Sequence, residues 1–332
     1  MANPYLLGVD VGGTQTRVAI ARRPRGSMRR TVFSSPARSD PKLLIDGIVE
    51  AAHDLIARTN GEIVAGVVAC AGTVDTATGV IVESPNLPMV REFAMADALK
   101  EHLDIPIEIE NDATAAAHAV HQMGAGRGTK EMIYLTISTG IGGGIVSGGK
   151  LLRGIAGAAG EFGHMTISMN TGIQCPCGLS SGCFEAMASG TAVARMARMR
   201  IEAGNDSVLA EKAAAGGSES ITARDVFDAA EQDDALARAV VDEAGYALGV
   251  GLANIVNIFN PELIVLGGGL ARGQDEYVQH GISVARERAF KLQNRTVRFE
   301  VTELGDDNGL RGALLLAREL ASRTRRAARR SG

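Results

Sequence analysis

The chain contains no tryptophan, and its four tyrosines and eight phenylalanines bring aromatics to only 4% of 332 residues. That leaves no row of aromatic platforms on which single-stranded nucleic acid could stack. Surplus positive charge is missing as well: 34 Lys and Arg face 38 Asp and Glu, for a formal net charge of −4. Nothing electrostatic therefore recommends a nucleic-acid backbone as partner. The basic stretch Arg323 to Arg330 reads as a frayed helical end. No uninterrupted apolar run approaches the ~20 residues of a membrane span. The opening MANPYLLGVD has neither a basic n-region nor a cleavable apolar core. Cysteine is scarce, four in all, which excludes a disulfide scaffold in a chain of this length. Together these absences lead us to expect a cytoplasmic protein with no membrane or nucleic-acid partner.

Glycine, by contrast, is abundant at 41 residues, and it is concentrated where apolar runs stop. LLGVDVGGTQTRVAI (6–20) and IYLTISTGIGGGIVSGG (133–149) share one pattern: an apolar strand, a glycine-rich turn, then a second apolar strand. Each reads as a hairpin. A Walker A loop or a dinucleotide fingerprint would instead open a helix, so both are weak here. Further strands are expected near 31–34, at 62–70, 106–109, 260–269 and 296–302, with NPELIVLGGG ending in a turn. Helices are expected at about 40–58, 93–102, from 112, 233–258, 273–290 and 309–328, the last capped by Gly305-Asp306-Asp307-Asn308. Strands alternating with helices give an α/β class. Two halves, each opening with a glycine-rich hairpin, predict a duplicated architecture with a central cleft.

Several segments carry chemistry. In Asp10-Val11-Gly12-Gly13-Thr14 the glycines let backbone N–H groups approach an anion, and Thr14 adds a hydroxyl. Asp10 repels a phosphate unless a Mg²⁺, held through water, lies between them; the alternative is a tight hairpin with Asp as a turn residue. Thr139-Gly140-Ile141-Gly142-Gly143-Gly144 offers a second cradle. Gly267-Gly268-Gly269, ending a buried strand, offers a third surface, open to a base or ribose. In IENDATAA, Asp112 stands at a strand-to-helix junction, where a helix cap and a general base both fit. Glu110 reads as an ordinary strand-end charge. His164 is followed by Cys175, Cys177 and Cys183. One imidazole and three thiolates suit a closed, tetrahedral, structural Zn²⁺ site, which would also fix Glu185 two residues on.

Taken in order, VDVGGTQTRVAI, ACAGTVD, SPNLP, IENDATAAA, STGIGGGIV, GAAGEFGH, CPCGLSSGCFEAMASG and NPELIVLGGG make the chain resemble the ROK family of sugar kinases and sugar-responsive repressors, and its bacterial glucokinases most of all. The resemblance implies an actin-like (ribonuclease H-like) ATPase fold. A smaller domain of 1–113 plus 309–332 would have the C-terminal helix packed back on it, and a larger one of 114–308 would carry the zinc insertion. It implies ATP and Mg²⁺, with phosphate-side residues Asp10, Gly12, Gly13, Thr14, Thr139 and Gly140, and Gly267, Gly268 and Gly269 facing adenosine. Asp112 matches the family's catalytic base. Asn111, Glu161, His164 and Glu185 match sugar-contacting positions, and Gly72 and Asn86 match nearby loops. His164 would give one ring nitrogen to zinc and the other to the sugar. The expected activity is phosphorylation of the 6-hydroxyl of a hexose. Glucose leads, with N-acetylmannosamine, N-acetylglucosamine and fructose as alternatives and polyphosphate as a disfavoured donor. A homodimer or dimer of dimers is expected from the family. The first hairpin strand begins at Tyr5, so the family's repressor role, which needs a preceding helix-turn-helix, is the weaker expectation. Three positions depart from the family pattern. Met89-Val90 follow NLP where Gly-Trp is common, Ala71 replaces Pro, and five residues rather than four separate Cys177 from Cys183.

Overall fold

The structure, a computed structural model, describes residues 3–36, 40–169, 172–175, 177–178 and 182–331. The chain opens with β1 (Asn3–Val11), β2 (Gln15–Ala21), β3 (Arg29–Ser34), α1 (Pro41–Ala57) and β4 (Gly61–Cys70). Three short strands follow, β5 (Thr73–Asp75), β6 (Val80–Glu83) and β7 (Arg91–Phe93), then α2 (Met95–Leu103), β8 (Ile107–Asn111) and α3 (Asp112–Met123). The second half repeats the opening with β9 (Met132–Ile137), β10 (Ile141–Ser147) and β11 (Lys150–Leu151). Its helices are α4 (Phe184–Ala188), α5 (Gly190–Glu202), α6 (Leu209–Gly216), α7 (Ala223–Glu231) and α8 (Ala235–Phe259). The chain ends with β12 (Leu263–Gly267), α9 (Gly268–Gly273), α10 (Asp275–Arg288), α11 (Lys291–Thr296), β13 (Arg298–Val301) and α12 (Asn308–Ser331).

The two large sheets have the orders β3-β2-β1-β4-β8 and β11-β10-β9-β12-β13. Each is the same permutation of its own strands, a hairpin extended on one side and parallel crossovers on the other. In the first sheet β1 pairs antiparallel with β2 and parallel with β4, which in turn pairs parallel with β8. In the second, β12 lies parallel to both β9 and β13. This is the duplicated α/β arrangement that the two glycine-rich hairpins predict, and it agrees with the actin-like fold that the family resemblance implies. Tertiary contacts divide the chain into one unit of residues 1–130, 144–160 and 303–332, and another of 131–143 and 161–302.

In the first unit, the period-2 alternation of strands sorts apolar side chains onto two faces. Leu7, Val9, Val11, Val18, Val68 and Ile109 pack with Leu44, Ile48 and Leu99 of α1 and α2. Leu6, Ala19, Ala65, Val67 and Ala69 meet Leu310, Leu314 and Ala317 of α12. Asp40 starts α1 by accepting a hydrogen bond from the Lys42 amide at 2.8 Å, with Pro41 in the first turn. At the contact of α12 with α3, a Cβ on Gly312 would lie 1.9 Å from the Ala115 carbonyl oxygen, so only glycine admits the approach.

In the second unit α8 is the central helix, packed by α10, α7, α5 and α4. Its 25 residues are long and apolar enough for a membrane span by length and composition, although no single uninterrupted run suggests it; 61% of its most apolar window is buried within the fold. One expectation is corrected here. NPELIVLGGG does not end in a turn, because β12 passes directly into α9 at Gly268.

Candidate active site

Within the first unit Asp10, Gly12, Gly13, Thr14, Gly72, Asn111 and Asp112 stand at the carboxyl ends of β1, β4 and β8 and in the turns that follow, and Asn86 joins them from the β6–β7 loop. The β1–β2 turn closes through the Gly12 amide to the Gln15 carbonyl at 3.0 Å. Ser35, which the sequence reading did not single out, braces it: its hydroxyl donates to the Gly12 carbonyl at 2.6 Å, and its amide donates to the Thr14 carbonyl at 2.9 Å. Asn86 lies directly over Gly13, where a Cβ would fall 3.0 Å from the Asn86 carbonyl oxygen. Asp10 pairs with Arg17, its cross-strand partner, at 3.1 Å. Burial raises the Asp10 carboxyl above its ordinary range, and Arg17 opposes this. Arg17 engages Oδ2, which leaves Oδ1 as the oxygen that a hydrated cation could take.

The head of α3 settles which residue is the cap. Asn111 has extended backbone, and its Oδ1 accepts from the Thr114 amide at 3.0 Å. Its Nδ2 donates to the Gly72 carbonyl at 3.1 Å, so one side chain caps the helix and ties down the loop after β4. Asp112 is then the first helical residue, half-buried, with Oδ1 accepting from the Ala113 amide at 2.8 Å. Glu110 is not the ordinary strand-end charge expected: its side chain is only 4% exposed and accepts from Arg153 Nε at 2.7 Å. Burial raises this carboxyl, with Arg153 the principal opposing influence.

Within the second unit lie Thr139, Gly140, Glu161, His164, Glu185, the three cysteines and Gly267 to Gly269. The β9–β10 turn sits on the start of α5, where the Thr191 hydroxyl and amide both donate to the Thr139 carbonyl, at 2.8 and 3.2 Å. Glu185 lies against this turn. Its Oε2 accepts from the Ile141 amide at 2.8 Å, and a Cβ on Gly140 would come within 2.4 Å of the same oxygen. Gly267 pairs with Thr136 at the end of β9, and Gly268 and Gly269, the first residues of α9, lie against Ile137 and Ser138. The glycine-rich ends of β9 and β12 are thus neighbours.

Ligand atoms of His164, Cys175, Cys177 and Cys183 lie within 4.8 Å of one another. Usual Zn–S and Zn–N lengths of ~2.3 and ~2.0 Å place the corners of a tetrahedral S₃N centre about 3.5–3.8 Å apart. Cys175 Sγ lies 3.6 Å from His164 Nδ1, which matches such an edge, and the donor set has the chemistry of a zinc site. Residues 176 and 179–181, which include the extra loop residue, fall outside the described ones. Burial pushes the Cys175 thiol up to about 12. The other His164 nitrogen, Nε2, points toward Glu161 at 3.9 Å. Burial raises the Glu161 carboxyl, opposed by His164 and reinforced by the charge of Glu185.

The sequence pattern of the ROK family matches residues 6–320. A glucokinase of Halalkalibacterium halodurans is 33% identical over 326 residues, covering 96% of this chain and 96% of its own. The ROK hexokinase of Thermus thermophilus superposes with a TM-score of 0.78 at 33% identity, covering 96% of this chain and 99% of that one. A ROK family glucokinase of Streptomyces griseus, in complex with glucose and AMPPNP, gives a TM-score of 0.78 at 30% identity, over 95% and 99% of the two chains. The chain belongs to the ROK family.

Proposed function

We propose that the protein is an ATP-dependent hexokinase that phosphorylates the 6-hydroxyl of glucose. The observation that carries this reading is the head of α3: Asn111 takes the capping bond and holds Gly72, and Asp112 follows it as a carboxylate fixed on the first helical turn. Asp112 accepts the proton of the sugar hydroxyl as the bond from its oxygen to the γ-phosphorus forms and the bond to the β–γ bridging oxygen breaks. Asn111, Gly72, Asn86, Glu161, His164 and Glu185 hold the sugar. Backbone amides of Gly12, Gly13 and Gly140, with the hydroxyls of Thr14 and Thr139, stabilise charge on the phosphates. Gly267, Gly268 and Gly269 form the adenosine side of the site, Gly268 and Gly269 at its surface and Gly267 buried against Tyr134. Asp10 would hold the Mg²⁺ that accompanies the nucleotide, and that ion would supply charge neutralisation for the phosphates.

His164, Cys175, Cys177 and Cys183 would hold Zn²⁺, which would supply a cross-link in the sugar loop. With Nδ1 as its ligand atom, His164 would keep Nε2, the nitrogen directed to Glu161, as a hydrogen-bond donor. A homodimer or dimer of dimers belongs to the same reading on the strength of the family resemblance, and light scattering measures it. Coupled ADP release with Mg-ATP across glucose, fructose, N-acetylmannosamine and N-acetylglucosamine tests the activity. Absence of glucose-dependent ADP formation would sink it.

A further inference from the structure

We propose that Glu110 and Arg153 form a positioning pair that holds the Asn111–Asp112 turn against the 153–160 loop, an inference that rests on the kinase reading for its functional consequence. Alternation along β8 sends Ile107 and Ile109 into the core under α1 and α2, and Glu108 and Glu110 to the face covered by α3 and α12. Both glutamates meet an arginine at 2.7 Å, Glu108 with Arg323 and Glu110 with Arg153. The first pair is exposed. The second is not: Glu110 is the one with 4% side-chain exposure, a costly place for a carboxylate in the absence of a partner.

Both oxygens of Glu110 are used, and they reach opposite ways. Oε2 takes Arg153 Nε, and Oε1 accepts from the Asn111 amide at 3.2 Å. Asn111 is the residue that caps α3 and ties to Gly72. Arg153 opens a loop that closes on itself, the Ala159 amide donating to the Arg153 carbonyl at 3.0 Å. Gly157 of that loop lies against Thr76, with φ of 83°. One carboxylate therefore anchors the peptide entering the proposed base and the loop that precedes Glu161 in the chain. Buried ion pairs are on average weak stabilisers compared with apolar packing of the same shape. A pair set between these two segments is better explained by the geometry it specifies.

Glu110→Gln, Arg153→Met, Arg153→Lys and the Glu110→Gln/Arg153→Met double variant test the proposal, read by hydrogen exchange, thermal melting and steady-state kinetics. Glu110→Gln is expected to speed amide exchange in 154–160 and 111–116. It should also raise the KM for glucose about tenfold or more, with the KM for ATP within about twofold. Arg153→Lys, keeping charge without the guanidinium fork, should recover only part of this. The double variant removes the unpaired charge, so it should melt close to wild type while exchange and glucose KM stay impaired. If it restores exchange and KM together with the melting temperature, or if Glu110→Gln leaves both unchanged, the pair is merely structural and the proposal fails. If wild type turns over no hexose, the kinase reading fails by itself, and hydrogen exchange still decides whether the pair holds the two segments.

Discussion

Asp112 and Asn111 are both capping residue types, and from the sequence either could start α3. The ambiguity was real at that level because the decision rests on backbone angles: Asn111 is extended, with ψ of 141°, so its side chain reaches back to Thr114. With the cap assigned, Asp112→Asn should lower kcat by roughly 10²–10⁴-fold. Glucose affinity by titration calorimetry should change little, and a variant with near-normal turnover would remove Asp112 from the role of base. The Asp10–Arg17 pair follows once the turn is centred on Gly13–Thr14, which sets the two residues opposite each other; centring it on the Gly12–Gly13 pair would set Asp10 against Gln15. The Glu110 pair follows from no such count. Its burial depends on α12, roughly two hundred residues away, and its partner is 43 positions downstream.

At the scale of elements, the hairpins, the parallel strands and the long helices were legible because each repeats its periodicity several times. The sheet of β5, β6 and β7 was not, as strands of three, four and three residues are too short to show alternation. Helix α7 begins with a capping box in which Thr222 and Asp225 bond reciprocally. Thr222→Ala should cost about 1 kcal/mol in a denaturant titration. Burial pushes Asp225 upward, yet hydrogen bonds from Lys212 and Thr222 outweigh it and bring the carboxyl down to about 2. A depressed carboxyl stabilises the fold above its unfolded value near 4 and loses that contribution as pH falls toward 2. Asp225→Asn should therefore flatten the acid limb of the stability profile between those values, which melting at stepped pH measures. Where α12 meets α3, Gly312→Ala forces a Cβ onto the Ala115 carbonyl oxygen. The expected loss is about 1–3 kcal/mol, because backbone on both sides must move.

For the molecule as a whole, the duplication is legible in two similar glycine-rich stretches and the zinc-type cluster in its spacing, whereas the strand order within each half is not. A chelator that strips the His164–Cys175–Cys177–Cys183 centre should release about one metal per chain and lower the melting temperature. Unchanged melting with no metal released would remove the zinc assignment. The way the chain is threaded through its two units has a separate consequence. Synthesis delivers β1, β2 and β4 early, but the helix that covers one face of their sheet, α12, is made only after the whole second unit. Until residues 308–331 leave the ribosome, Leu6, Ala19, Ala65 and Val67 have at most Ala115 of α3 against them and lack Leu310, Leu314 and Ala317, so the first unit cannot finish folding before the second has been translated. A nascent chain stalled before Asn308 should therefore bind chaperones and resist release as a soluble species, whereas release should follow once α12 is out.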